Sequence, residues 1–233
     1  MDFTMYDKLL QLPLFQGLGK NDFTQILEKV KFHFHKYAPG TILVREEEAC
    51  DKLIFILDGE IQAEAYDSTQ RYVLQETFKA PHIIEPYSLF GMRPNFSATY
   101  TAATETNTLT IRKKYVLEQL NNYDVFAINY LNMLSNRAQT LNIRLWNTHI
   151  GTTYEKIVSF LQVRCVNTDG PKVLYARMED LAVLLNDTRI NISTALNEMQ
   201  AQGLLQLNRK RICIHDLSAL VESCKNRKKK NDK

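Results

Sequence analysis

Residues Met178–Gly203, MEDLAVLLNDTRINISTALNEMQAQG, decide how the chain is read. Apolar side chains at Met178, Leu181, Ala182, Leu184 and Leu185 recur at helical spacing, and Ile192, Ala195, Leu196 and Met199 resume it after a break. The break is Asn186-Asp187. Asn tolerates a left-handed backbone, and Asp187 or Thr188 can accept a hydrogen bond from the free amides that open the next helix. Two short helices meeting at a sharp turn are expected, with Ala182 small enough to let them cross closely. The outward face of the second helix carries Thr188, Arg189, Asn191, Ser193, Thr194 and Asn197. These side chains are small or polar and carry no acid, which suits phosphates and base edges. Arg189 can make a bidentate pair with a guanine edge, while Ser, Thr and Asn serve phosphates or adenine. Two packed core helices would show the same apolar spacing, so the flanking sequence has to decide.

It does so downstream. Gly203 to His215, GLLQLNRKRICIH, alternates apolar and polar residues around Asn208-Arg209-Lys210-Arg211, which reads as a small hairpin with a basic tip. Two helices and a basic wing make a winged helix, with Arg209, Lys210 and Arg211 added to the surface for double-stranded DNA.

At 233 residues the chain is long enough for two domains, and 45% hydrophobic with 24% charged residues is the composition of a globular protein. No apolar run approaches a membrane span, and the start MDFTMYDKLL lacks the basic-then-apolar layout of a secretory signal, so a cytoplasmic protein with no membrane partner is expected. Cys50, Cys165, Cys213 and Cys224 lie far apart with no metal-ligand spacing and read as reduced thiols. The tail KNRKKKNDK from Lys225 reads as a solvated end that adds salt-sensitive attraction to phosphate.

From the start, Thr4 to Leu18 and Lys20 to Val30 read as short helices, with Asn21 or Asp22 capping the second. Strand-like pieces follow: Phe32 to Tyr37, Thr41 to Val44, Leu53 to Leu57, Glu60 to Tyr66, Arg71 to Phe78 and Ser97 to Ile111, with Pro39-Gly40 and Asp58-Gly59 between them. Short strands with close turns indicate a β-roll. His33 and His35 read as exposed strand residues, and Glu46, Glu47 and Glu48 as a solvated loop. The segment Lys113 to His149 has no Pro or Gly, and Ala127, Leu131, Leu134, Ala138, Leu141 and Leu145 form a heptad seam along it. Such a seam calls for a partner helix. A two-fold dimer would set two recognition helices about 34 Å apart and read a palindromic site. Gly151, followed by Thr152 and Thr153 as caps for a helix from Tyr154 to Val166, is the expected hinge. The class is α+β: an N-terminal β-roll of the cupin-like jelly-roll type over 1–112, a long dimerisation helix over 113–150, a C-terminal winged helix-turn-helix over 151–220 and a basic tail over 221–233.

This order resembles the Crp/Fnr family of bacterial transcription regulators from about Leu14 to Leu217. Pro39-Gly40-Thr41-Ile42 and Leu53 to Ile61 are similar to the family's glycine-bounded strands, and Thr188 to Thr194 lies on its recognition-helix motif. The resemblance implies an effector-switched regulator, with RNA polymerase as a further partner. Arg189 keeps the base-reading arginine, whereas Ile190 and Thr194 stand where the best-known members have an acid and a base. Altered base preference follows, with Ile190 suited to a thymine methyl.

Members that bind cyclic nucleotides carry Gly-Glu and then an Arg-Ser pair whose arginine neutralises the phosphate. Here Ile84-Glu85-Pro86 replaces the start and Phe96-Ser97 the pair. A buried phosphate without a cation is prohibitive, so cyclic nucleotide is disfavoured unless Arg93 substitutes. The pocket is expected to be apolar, with Leu89, Phe90 and Phe96 beside Glu85 and Ser97, faced by Leu141. Three effector readings stay open, with haem placed first: haem sensing nitric oxide or carbon monoxide, which would tie the protein to nitrosative stress, with Met133, His149, Met92 and His82 as candidate ligands; another apolar small molecule, such as a 2-oxo acid or a lipid-like ligand; or none. A reading from another class makes the β-roll part of an enzyme or a protein-interaction module, with the helix-turn-helix as scaffold. Against an enzyme, no nucleophile grouping, phosphate-cradling glycine loop or paired-carboxylate motif stands out.

Overall fold

The computed structural model describes residues 9–146 and 151–231, with backbone alone for 228–231. The described residues fall into two compact units, one of residues up to 63 with 78–138, the other of 64–77 with 139–233. In chain order the first half contributes α1 (Lys20–Lys29), β1 (His33–Tyr37), β2 (Ile42–Val44), β3 (Lys52–Asp58), β4 (Glu60–Tyr66), β5 (Tyr72–Lys79), β6 (His82–Ile84), β7 (Thr99–Ala102) and β8 (Thr106–Arg112). The class is α+β, as the sequence indicates.

In the first unit, β1, β8, β3 and β6 form an antiparallel sheet in that order, with His33 opposite Thr110, Leu53 opposite Ile111 and Ile54 opposite Ile84. Leu53, Ile54, Phe55 and Ile56 are all buried, so this strand is covered on both faces. Strands β2, β7 and β4 form the second layer of the roll. Phe15 ties the layers to the helices, its ring centroid lying 5.7 Å from Phe23, 5.6 Å from Phe55 and 5.5 Å from Phe126. Gly59, at φ 93°, joins β3 to β4 where an added Cβ would press on the Glu105 carbonyl and lie 2.9 Å from Thr106 Oγ1. His33 and His35 are exposed, as expected. Neither Asn21 nor Asp22 caps α1: the cap position is Gly19, and Asp22 lies in the first turn, where an acid complements the helix dipole.

The segment after β8 is not one long helix. It divides into α2 (Lys113–Glu118), a tight turn at Leu120–Asn122, and α3 (Asp124–Trp146). Asn122 Nδ2 donates to the Glu118 carbonyl at 2.9 Å, so a side chain competes for the backbone and ends α2, while Leu120 is buried at the corner.

The second unit contains α4 (Thr153–Arg164), β9 (Lys172–Ala176), α5 (Met178–Leu184), α6 (Arg189–Ala201), β10 (Leu205–Asn208), β11 (Arg211–Ile214) and α7 (Leu217–Asn231). Its helices enclose one core that includes Ile157, Leu161, Leu181, Ile192, Leu196, Met199, Ile212 and Leu217. Two boundaries differ from expectation. Residues 64–77, placed by sequence in the β-roll, belong to this unit, because β5 pairs antiparallel with β9 from Tyr72 opposite Ala176 to Glu76 opposite Lys172. Leu74 enters the same core. The stretch 221–231, expected as a basic tail separate from the DNA-binding domain, continues α7 and buries Cys224, because Leu217, Leu220 and Cys224 recur at helical spacing ahead of the basic run. Among the described residues no helix is long and apolar enough to cross a membrane.

Candidate DNA-reading surface and sensor site

The turn between α5 and α6 is built as its residues require. Asn186 adopts φ 47°, and Asp187 gathers four donors: the Thr188 amide at 2.8 Å, Asn191 Nδ2 at 2.8 Å, Thr153 Oγ1 at 2.9 Å and Lys156 Nζ at 3.1 Å. These bonds hold its carboxyl well below the usual carboxylate range, the Asn191 amide contributing most. Asp187 thereby ties the turn to the start of α4. Thr188 caps α6 by accepting from the Asn191 amide at 3.2 Å. On α6, Ile192, Ala195, Leu196 and Met199 are buried, so Arg189, Ile190, Asn191, Thr194 and Asn197 are left exposed and Ser193 half-buried. Ile190 is 77% exposed, an isoleucine held in water at the opening turn of the helix.

The wing completes this surface. Asn208 pairs with Arg211 across a two-residue turn, Arg209-Lys210, in which Lys210 takes φ 58°. Arg209, Lys210 and Arg211 are exposed. Between wing and helix pair lies an open cavity of about 190 Å³ lined by Arg177, Glu179, Arg189, Asn208, Lys210 and Arg211, among others. Sequence reading missed Glu179. It lies on α5 rather than on the face of α6, and its Oε1 accepts from Arg189 Nε at 3.1 Å.

Ahead of the wing, Thr152 caps α4 in a full capping box with Glu155, and Gly151 takes φ 116°. Thr153, read as a second cap, bonds Asp187 instead. Arg144, on the last turns of α3, closes the other end of α4, donating from Nη1 to the carbonyls of Gln162 at 2.6 Å and Cys165 at 2.8 Å.

In the first unit the residues around Glu85 make a polar knot, buried at Glu85, Ser88 and Tyr100 and exposed at Ser97. Glu85 is 3% exposed and adopts φ 36°. Its Oε2 accepts from Ser88 Oγ and from the Ser97 amide, each at 2.8 Å, and its Oε1 from Ser97 Oγ at 2.8 Å and Tyr100 Oη at 3.1 Å. Leu89 and Phe96 are fully buried, so they are packed core where a ligand-lining wall was expected. Phe90 is half-buried with Lys113 Nζ 4.7 Å over its ring, and Leu141 belongs to the other unit. Arg93 is exposed on its loop.

Residues 34–123 match the model of the cyclic nucleotide-binding domain, and residues 150–223 that of the Crp-like helix-turn-helix domain. The chain belongs to the Crp/Fnr family. Among solved structures it is similar to the catabolite activator protein of Thermus thermophilus, at 17% identity and TM-score 0.50 over 90% of this chain and 97% of that one. It is also similar to the c-di-GMP responsive global regulator CLP of Xanthomonas campestris, at 18% identity and TM-score 0.50 over 84% of this chain and 99% of that one. No curated protein matches it by sequence. As a Crp/Fnr member it is a DNA-binding transcription regulator with a ligand-binding domain, and not an enzyme.

The candidate haem ligands of this Crp/Fnr regulator stand in different surroundings. Met92 is fully exposed, Met133 half-buried, and His149 lies outside the described residues. His82 stacks on Phe78 at 4.5 Å between centroids, and burial pushes its imidazole down to about 4. Among the described residues no group of three His, Cys, Asp or Glu could hold a metal ion.

Proposed function

We propose that the protein acts in the cytoplasm as a homodimer that reads a palindromic duplex site, and that no cyclic nucleotide switches it. The dimer rests on α3. Along its seam Leu131 is 60% and Leu145 58% exposed, Ala138 is exposed between them, and Ala127, Leu134 and Leu141 are half-buried. Apolar residues repeating every seven positions and left in water call for a second helix with the same stripe.

The observation that carries the effector reading is the Glu85 knot. Ser97, the serine of the matching pair, already gives its amide and hydroxyl to an internal carboxylate, and Phe96 puts an uncharged ring where a phosphate needs a cation. A nucleotide phosphate would add a second anion to a buried carboxylate with no charge to offset it. An apolar small molecule or no ligand is favoured over haem, because Met92 stands in water and His82 is stacked on Phe78.

The test combines light scattering with selection of sites from random duplex DNA. A dimer that selects two half-sites about 10 base pairs apart, with affinity unmoved by cyclic AMP or cyclic GMP, is the expected result. Leu131→Glu should give monomers. A wild-type monomer would sink the dimer, a tenfold shift with nucleotide (about 1.4 kcal/mol) the effector reading, and a saturable haem band the ranking against haem.

A further inference from the structure

Arg189 opens α6 on its exposed side, and its Nε donates to Glu179 Oε1 at 3.1 Å. Glu179 occupies the first turn of α5. Both side chains are largely exposed, 69% and 62%, so the pair adds little to stability. The carboxylate also works against affinity, because it stands on a groove shared with Arg177, Lys210 and Arg211 that otherwise attracts phosphate. Geometry is what remains for it to supply.

A guanidinium reads the O6 and N7 of guanine with two parallel N–H groups, either both terminal nitrogens or Nε with one of them. With Nε held by Glu179, only the end-on fork is presented. We infer that Glu179 is a positioning residue that fixes this fork and so sets base preference at the pair Arg189 faces. The inference rests on reading Arg189 as a base-reading residue. When DNA docks and excludes water the hydrogen bond from Nε to the Glu179 acceptor strengthens, so any base that requires Arg189 to swing away from Glu179 is penalised. Glu179 thus trades affinity for selectivity.

The experiment measures binding of the full-length protein to its selected site, to single-base-pair variants of that site and to random duplex, across salt concentrations. It compares wild type with Glu179→Ala, Glu179→Gln and Arg189→Ala. Glu179→Ala should bind random duplex more tightly, with a steeper salt dependence, and lose about tenfold of its preference for guanine at one base pair per half-site. Glu179→Gln keeps the acceptor without the charge, so it should gain the same random-duplex affinity yet retain most of the preference. Arg189→Ala should abolish that preference. Wild-type preference in Glu179→Ala overturns the inference, and so does equal loss in Glu179→Ala and Glu179→Gln, which would assign the effect to charge alone. Wild-type preference in Arg189→Ala overturns instead the reading of Arg189 on which the inference stands.

Discussion

Replacing Lys172 by Met should destabilise the DNA-binding unit severely, although on sequence alone it looks like any surface lysine. The Lys172 side chain is fully buried, its Nζ lies 3.4 Å from Glu76 Oε2, and it donates to the Asp169 carbonyl at 2.6 Å. Glu76, 5% exposed at its side chain, also accepts from the Val166 amide at 2.8 Å. Removing the cation leaves a buried carboxylate held only by backbone amides, and breaking one side of such a pair costs about 3–5 kcal/mol. For a chain of this length each kcal/mol moves Tm by about 2–4 °C, so a drop of roughly 6–20 °C is expected. Glu76→Met should act similarly. The double variant should recover most of the loss, because two apolar side chains need no compensating charge. Differential scanning calorimetry on the three variants gives the cycle. A Lys172→Met protein melting within about 2 °C of wild type would refute the buried pair and with it the docking of β5 on β9.

The pH dependence of stability should carry a mark of His82. Its folded imidazole titrates at about 4 against an ordinary 6.5. The unfolded chain therefore takes up a proton that the folded one refuses. The contribution is complete above pH 6.5 and drains as pH falls toward 4, by at most about 3 kcal/mol. Urea melts at about pH 7.5 and about pH 5 should show a smaller loss in His82→Gln than in wild type, and an equal loss would remove the assignment. Ile190→Glu should shift the selected DNA site away from thymine at the position beneath Ile190, while an unchanged site would show that this exposed side chain reads no base. Phe96→Arg should not by itself confer cyclic nucleotide binding, because Glu85 is there to pair with the new guanidinium. Calorimetric titration showing submillimolar affinity for cyclic AMP in that variant would overturn the account of the Glu85 site.

The DNA-reading half was legible because each of its features is local. Two apolar series broken at Asn186-Asp187 gave the helix pair, and the alternation around Arg209-Lys210 gave the wing. What escaped is non-local or two-sided. Strand alternation tells which face a residue takes and not which strand lies beside it, so nothing in Tyr72 to Glu76 pointed to a partner a hundred residues on. Glu76 and Lys172 read as solvated charges until they are paired. The break before α3 was written in Asn121-Asn122, yet the absence of Pro and Gly outweighed it. Arg189 was found from the face of α6, and Glu179 was missed because a second element supplies it. In the sensor, Phe96-Ser97 was enough to disfavour a phosphate, whereas Ser88 and Tyr100 as donors to Glu85 required the fold.

The two ends of this regulator have been shaped differently, and the backbone at Glu85 shows why. A buried glutamate at φ 36° stands in the left-handed region without being glycine, a conformation that costs of order 1–3 kcal/mol and persists only where surrounding contacts over-determine it. Here the surroundings are four hydrogen bonds to one carboxylate, two of them from Ser97, 12 residues further along the chain. Charge-assisted bonds of this kind are stronger than neutral ones and can offset both the strain and part of the desolvation. The segment that joins β6 to β7 is therefore closed by the chain's own anion. A sensor of this construction responds only to a ligand that opens the knot or acts elsewhere on the roll. The surface formed by Arg189, Ile190, Asn191 and the wing is instead left exposed to water, as the proposed contact with duplex DNA requires.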